Sequence, residues 1–461
     1  MSTFPTSPAD FYALRDDRTT RSCGQPKYQT ARCRVEVSRA STASAPGQML
    51  LVAASNLLSR WCRDVRIVMP DVDVLPALGM GAGRLGDLIL AQMRDADPFG
   101  EFRVLETDAG AADLTLAIGA DARTEASSST IFVNASGWLA GIARHAPLQL
   151  APANDSNLLG AIAAACLGVG QLFKLAIGMP AQLLARDGIF DLFSLDWTTT
   201  TSQAPWPDAT EIGKLLMVGA GSVGSAAVYC LRATGLSGAI TIVDGDTVKV
   251  ENFNRSPLFG RKNFGLAKAA VLEGWLAGSR FAATSVRGWW DDFLRQTPRP
   301  SFDYDIWLPL ANEYNVRASM QHNVPPLMIY ASTTQNWGVN HGRHIPGRDD
   351  CLVERFPVPV TARDLKCSTA PIQVAEETVD AALPFASTFA GLLAAADLVR
   401  SHLPGYPQIP SFALLDWYGP LDLIQRADRK RDPACPTCSG QGRTFHERLN
   451  SSTKYRYLFR L

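Results

Sequence analysis

The stretch Lys214–Lys268, KLLMVGAGSVGSAAVYCLRATGLSGAITIVDGDTVKVENFNRSPLFGRKNFGLAK, decides how this chain is read. It opens on an apolar run, Leu215–Val218, expected to be a strand. Gly219-x-Gly221-x-x-Gly224 follows, then an Ala-rich helix to about Thr234 and a second apolar strand, Ala239–Val243, ending on Asp244. This is half of a nucleotide-binding βαβ unit. The glycines permit a tight turn and let backbone N–H groups approach a phosphate at the helix N-terminus. Alone, they fit NAD or FAD as well as ATP. Asp244 at the strand end suits ribose hydroxyls in either case. The loop beyond it carries more polar function than a dinucleotide fold needs: Asp246, Asn252, Arg255 and Lys268. An Arg and a Lys aimed at a phosphate chain neutralise the charge that builds during attack at phosphorus.

The 461 residues allow two or three domains. Apolar residues make up 46% and charged residues 19%, the balance of a soluble globular chain with a sizeable core. Forty-four basic residues offset forty-four acidic ones, which argues against nucleic acid or a membrane surface recognised through bulk charge. No charged-then-apolar leader follows Met1, so a cytoplasmic location is expected. The longest apolar run, Leu158–Phe173, is short for a membrane span and rich in Ala and Gly, and a buried helix is expected there. Nine cysteines, unevenly spread, argue for reduced thiols rather than a disulfide framework.

Residues 1–47 are basic-rich and read as an irregular arm. Met49–Ala54 reads as a strand, Asn56–Cys62 as a short helix and Val65–Met69 as a strand. Further strands are expected at Asp113–Ile118 and Thr130–Val133, and a long apolar helix at Asn154–Ile177. Thr198–Thr210, rich in Thr, Ser and Pro, makes a linker. Beyond it come a helix at Gly265–Trp275, strands at Phe281–Val286, Tyr304–Leu308, Leu327–Ala331 and Phe412–Asp416, a loop over Gly342–Pro384 and a helix at Ser387–Arg400. Met49–Met69 parallels Leu215–Val243, with Ala53–Asn56 where the glycines would stand. Asn157–Lys174 and Ser387–Arg400 share a small-residue face suited to close packing. An internal duplication is implied, in which only the second copy keeps nucleotide chemistry.

The pattern Asp244-Gly-Asp246-Thr-Val248, then Asn252-Phe-Asn-Arg255, then Lys268 thirteen residues on, resembles the adenylation domain of E1 enzymes and their bacterial relatives ThiF and MoeB. The resemblance spans residues 206–440 strongly and 49–205 weakly. It implies two tandem Rossmann-type α/β adenylation domains, the first degenerate, arranged as a pseudo-dimer: an arm at 1–47, an inactive domain at 48–205, and an active domain at 206–461. In that family Gly219, Gly221, Gly224, Asp244, Asp246, Asn252, Arg255 and Lys268 would bind ATP and magnesium. An Asp after the fourth strand usually helps hold the metal; here Asn312 takes that slot, with Glu313 beside it, and a plain turn role stays open. The family also supplies an arginine from the opposite domain, for which Arg15, favoured by Tyr12 upstream, Arg18 and Arg21 are the candidates.

The cysteines carry the rest of the resemblance. Cys351-Leu-Val-Glu354 looks like the proximal C-x-x-C of the family's zinc site with Glu354 in place of the second thiolate, and Cys435-Pro-Thr-Cys438 matches the distal pair. Three thiolates and a carboxylate can hold zinc; His344 is the other candidate for the fourth ligand, and loss of the metal stays open. Cys367, followed by Ser-Thr-Ala-Pro371 in the loop at 342–384, stands where E1 enzymes carry the catalytic cysteine. Arg363 and Lys366 nearby favour a thiolate. Cys62, Cys166 and Cys230 read as core. The resemblance implies an activating enzyme that adenylates the C-terminal glycine of a ubiquitin-like protein, forms a thioester on Cys367 and passes it to an E2-like protein, as in bacterial ubiquitin-like operons linked to antiphage defence. No nucleic acid or membrane partner is expected, and a further homodimer is left open. The rival readings are a sulfur-carrier adenylyltransferase, a non-catalytic scaffold for ubiquitin-like proteins, and an NAD oxidoreductase.

Overall fold

The computed structural model describes the chain except residues 1–2, 20–26, 108–109, 151–155, 200–203, 208–209, 298–299, 301–302, 312–313, 335–336, 356–371, 375–376, 380–382, 404–405, 407–408, 422–423, 431, 436–446, 456–457 and 459–461. Two eight-stranded sheets organise it. The first contains β1 (Arg32–Val37), β2 (Asp64–Val68), β3 (Glu101–Leu105), β4 (Leu114–Ile118), β5 (Thr130–Ser136), β6 (Leu139–Ala143), β7 (Gly188–Asp191) and β8 (Asp196–Thr198), in the order β3-β2-β1-β4-β5-β6-β7-β8. The second contains β9 (Glu211–Val218), β10 (Ser237–Val243), β11 (Phe281–Val286), β12 (Ile306–Pro309), β13 (Leu327–Thr333), β14 (Gly338–His344), β17 (Phe412–Asp416) and β18 (Ile424–Ala427); β15 (Ile372–Val374) and β16 (Glu377–Val379) form a separate hairpin. Its order, β11-β10-β9-β12-β13-β14-β17-β18, repeats the first. In each sheet five strands run parallel and three antiparallel strands complete one edge.

The expected α/β duplication is therefore present, but its first copy starts earlier than expected. Met49–Ala54 is not a strand. It lies inside the helix Ala45–Leu58, every residue of which is buried. The arm at 1–47 is not irregular: it holds the helix Pro8–Arg15 and β1, the middle strand of the switch. In β1, Cys33 and Val35 face the core, while Arg34 pairs with Glu36 and Arg32 with Asp113. The segment that matches β9–β10 is thus β1, Ala45–Leu58 and β2. The expected loop at 342–384 likewise begins in a strand, since β14 carries both His341 and His344, buried.

Four helices join the halves. Ala45–Leu58 and Leu159–Ala176 pack on the first sheet and on each other. Ser222–Leu231 and Pro384–Arg400 pack together on the second, and Pro384–Arg400 meets Leu159–Ala176 across the divide. Small residues set the spacing: a Cβ on Gly391 would lie 2.4 Å from the Ala227 amide nitrogen, and one on Gly170 would strike the Trp417 ring. Phe173, Phe385, Phe389 and Trp417 fill the junction with tilted and edge-on ring contacts. Each such buried ring contributes on the order of 2–3 kcal/mol through burial. Leu159–Ala176 is long and apolar enough to cross a membrane, yet 89% of it is buried in this junction, as expected of a core helix. Cys62, Cys166 and Cys230 are core residues, as expected.

Candidate active site

Order reverses in the second sheet between β9 and β12, the place where an open α/β sheet leaves a crevice for ligand. The three glycines after β9 do different jobs there. Gly219 has φ +102°, and a Cβ would sit 2.4 Å from the Ala311 nitrogen beyond β12. Gly224 would press a Cβ to 2.1 Å from the Gly219 carbonyl oxygen. These two are steric requirements of the turn. Gly221 is the N-cap of Ser222–Leu231; it has no side-chain cap, and a Cβ on it would meet nothing within 4 Å. The open approach to the helix N-terminus is therefore at Gly221, where N–H groups and the helix dipole favour an anion.

Asp244 closes this turn from below. Its carboxylate accepts hydrogen bonds from the Ala220 N–H at 2.6 Å and the Asp246 N–H at 2.8 Å. Burial raises its pKa above the usual carboxylate range, opposed by the Lys268 charge. The chain then runs out and returns: the Val248 N–H donates to the Leu266 carbonyl, the Val248 carbonyl accepts from the Gly265 N–H, and Thr247 bridges Ala267. That return places Lys268, the first residue of the helix Lys268–Leu276, beside Asp246. The ammonium bonds the Asp246 carboxylate at 2.8 Å, and the Lys268 N–H bonds the Asp246 carbonyl at 3.0 Å. Lys268 is 8% exposed, whereas the Asp246 side chain is half open to solvent. Within the excursion, Asn252 is buried and accepts from the Lys249 N–H at 2.9 Å. Arg255, half-buried, donates to the Glu251 carbonyl and to the Asn254 side chain. An open helix N-terminus, a strand-end carboxylate, and a paired lysine and aspartate thus stand together where the strand order reverses.

With this geometry in hand, residues 208–280 match the ThiF family, and residues 32–187 match the BilD N-terminal domain. The second half thus carries a domain of the E1-like ThiF superfamily. Among curated proteins it is similar to the uncharacterized protein y4jF of Sinorhizobium fredii (strain NBRC 101917 / NGR234), 31% identical over 148 residues, covering 31% of this chain and 28% of that protein. It is also similar to the tRNA threonylcarbamoyladenosine dehydratase of Escherichia coli (strain K12), 50% identical over 58 residues, covering 13% of this chain and 21% of that protein. The chain thus spans about a quarter of the length of these relatives. Among solved structures, E. coli MccB is 17% identical with a TM-score of 0.38, covering 49% of this chain and 67% of that one.

The other expected residues divide three ways. Cys351 and Cys435 come together: both are buried, with sulfurs 3.6 Å apart. Two thiolates on a tetrahedral zinc with Zn–S near 2.3 Å stand about 3.8 Å apart, so the pair fits that geometry. Cys438 and the side chain of Glu354 lie outside the described residues, as do Cys367, Asn312 and Arg21, and no cluster of three or more His, Cys, Asp or Glu occurs among the described residues. Glu354 itself sits in the short helix Leu352–Arg355. His344 spends Nδ1 on the Asp350 carbonyl, and burial lowers its pKa to about 4.

Arg15 is not a free cation at the crevice. It is fully buried and paired with Asp16 and Asp97 of the first half. The arm still reaches the site by other residues. Phe11 packs on Phe253, and Asn254 donates to the Thr19 hydroxyl at 3.4 Å, next to half-buried Arg18. Trp290 is core, but Trp289 is 57% exposed and its ring lies against Gly245, between the two site aspartates.

Proposed function

We propose that this chain is an E1-type activating enzyme that adenylates the C-terminal glycine of a ubiquitin-like protein with ATP, forms a thioester on Cys367 and passes it to an E2-like protein. The observation that carries the reading is buried Lys268 bonded to Asp246 beside the open helix N-terminus at Gly221. A dinucleotide dehydrogenase uses the N-terminus and Asp244 but needs no buried lysine at the phosphates. In the proposed chemistry the glycine carboxylate attacks the α-phosphorus and pyrophosphate leaves. Lys268 and Arg255 neutralise the charge that accumulates on the phosphoryl oxygens. Asp246 would hold magnesium, which supplies further charge neutralisation when bound. The Cys367 thiolate then attacks the acyl carbon, AMP departs and the thioester remains. Arg18, carried beside Asn254, replaces Arg15 as the arginine contributed by the arm.

Zinc belongs to the same reading, held by Cys351, Cys435, Cys438 and Glu354 as a structural staple. Release of bound metal into a colorimetric chelator would give one zinc per chain, and Cys435→Ala would lose it. A bacterial ubiquitin-like operon and a reducing cytoplasm are the proposed setting; the match to the BilD N-terminal domain supports the operon.

The test is incubation with ATP and ubiquitin-like proteins encoded beside the gene, read on non-reducing gels. A thiol-sensitive adduct that disappears in Cys367→Ala and transfers to an E2-like protein is expected. An adduct that persists in Cys367→Ala removes the cysteine assignment. Persulfide in place of a transferable thioester turns the reading to a sulfur-carrier adenylyltransferase. Partner binding without pyrophosphate release turns it to a scaffold, and nicotinamide binding to an oxidoreductase.

A further inference from the structure

The half without a nucleotide turn holds the catalytic loop of the other half in place. At the C-terminal end of Ala45–Leu58, Arg60 is 3% exposed. Its Nη1 donates to the Phe253 carbonyl at 2.8 Å and to the Phe259 carbonyl at 2.6 Å. Its Nη2 donates to the Pro257 carbonyl at 2.8 Å. Asn56, one helical turn earlier, orients the guanidinium by accepting from Nε at 3.1 Å, and it donates to Pro257 as well. No carboxylate bonds Arg60 among the described residues; Asp95 acts on it only from a distance. A buried guanidinium that satisfies backbone carbonyls instead of an anion is costly to maintain as mere filling. It fits a device for shaping a loop, because one planar fork fixes three carbonyl directions at once. Two of those carbonyls, Phe253 and Pro257, bracket Arg255 at equal distance along the chain.

We propose that Arg60 is a positioning residue for Arg255, and that this is a task the first half keeps after losing its own nucleotide turn. The proposal rests on the adenylation reading for its consequence, though not for its geometry. Arg60 touches no substrate. It acts by holding residues 253–259, so that Arg255 meets the triphosphate without first ordering the loop. Its loss would take the guanidinium from the Phe253 and Phe259 carbonyls, leave Pro257 to Asn56 alone, and let the loop depart from the productive shape.

The experiment compares full-length wild type, Arg60→Ala, Arg60→Lys and Arg255→Ala. Backbone hydrogen exchange is followed at 253–259 and at 239–243, and binding of ATP and of adenosine is measured by titration. Expected in Arg60→Ala is exchange at least about tenfold faster at 253–259 with 239–243 unchanged. ATP should weaken at least about tenfold, as in Arg255→Ala, while adenosine, held from the Asp244 side, is unchanged. Arg60→Lys, which keeps the charge but not the fork, should fall between. Unchanged exchange at 253–259 in a folded Arg60→Ala overturns the proposal. So does an equal loss of ATP and adenosine, which would mark a merely structural residue. If Arg60→Ala does not fold, Arg60→Lys decides: wild-type exchange and ATP binding overturn the proposal. If wild type binds neither nucleotide, the adenylation reading fails, and the exchange measurement alone decides whether Arg60 holds the loop.

Discussion

The two halves share one strand order and differ at four places around the strand-order reversal. In the second half three residues, Gly219–Gly221, join β9 to its helix and leave the helix N-terminus open. In the first half the same connection is Ser38–Ser44, which coils into the extra turn Arg39–Thr42. Ser38 accepts from the Ser41 N–H and Ser44 from the Gly47 N–H, both at 3.2 Å, and the Ser41 carbonyl lies so close to Gly47 that a Cβ there would be 2.1 Å away. The donors that would bind phosphate are thus spent on hydroxyls and the space is filled. At the end of β2, buried Met69 takes the place of Asp244. The bridge Thr247–Ala267 has a counterpart in Asp73–Arg84, so Leu85, fully buried, stands where Lys268 stands. Between the bridged residues the first half has only 74–83 against 248–266, and the stretch carrying Asn252 and Arg255 has no equivalent. A Rossmann core depends on its strands and helix faces, so it tolerates these changes; nucleotide chemistry depends on a few positions and does not.

Exchanging those positions should break the comparison most sharply. Lys268→Leu, which copies the first half, should leave a folded chain and cost about 100- to 1000-fold in ATP–pyrophosphate exchange with a partner that supports the wild type. The reciprocal Leu85→Lys places an ammonium in the core and should destabilise by about 3–5 kcal/mol, read by urea unfolding, without creating a second site. A Lys268→Leu protein with full exchange activity would remove lysine from the chemistry.

The glycines make a smaller, more selective contrast. Gly219→Ala meets both φ +102° and the Ala311 backbone, and should cost about 1–3 kcal/mol of stability. Gly221→Ala meets nothing and should cost under about 1 kcal/mol, yet under the proposed function it places a methyl on the path of the phosphate and should weaken ATP binding. Equal stability losses in the two variants would show that Gly221, too, is a packing glycine.

Much of the second half was legible because its signals are local. Phe281–Val286 and Phe412–Asp416 coincide with observed strands, and Asp244–Lys268 carries its chemistry in one loop. The first half was harder. Ala45–Leu58 is buried on every side, so its apolar run has no helical period and resembles a buried strand. β1 was hidden by Arg32, Arg34 and Glu36, whose charges pair on one face while Cys33 and Val35 are buried on the other. Arg15 looked available because its partner Asp97 is remote in sequence. Arg60 gave no signal, since its partners are backbone carbonyls and any residue type supplies those.

The seam between the halves predicts a pH effect. Lys174, at the end of Leu159–Ala176, donates to the Leu183 carbonyl in its own half at 2.9 Å and to the Gly419 carbonyl in the other at 2.6 Å. Burial pushes its pKa down to about 7, with Asp416 opposing. An unfolded lysine titrates near 10.4. Between about 7 and 10 the unfolded chain therefore binds the proton that the folded chain has released, and stability rises with pH by about 1 kcal/mol per unit from this group. Cys166 and Cys230 oppose it above about 8.5, because burial pushes both thiols up and the unfolded chain loses those protons first. The informative quantity is the difference between wild type and Lys174→Met in urea unfolding at pH 7, 8 and 9. Parallel pH profiles would mean that Lys174 is not a titrating tie across the seam.

The smallest expected effect concerns the plugged turn itself. Ser44→Ala removes one cap from Ala45–Leu58 and should cost about 1 kcal/mol, as a missing N-cap does. Because that helix end is capped by serines of its own connection, ATP affinity should stay at the wild-type value. If instead ATP binding fell together with stability, the first half would be more than a support, and its helix N-terminus would have to be coupled to the crevice of the second. The coupling has a visible route, since the same helix leads to Asn56 and Arg60 at its other end. Fourteen buried residues of rigid helix separate the two ends, however, so the loss of a single capping hydroxyl should be absorbed locally as fraying at Ala45–Gly47 and should not reach residues 253–259.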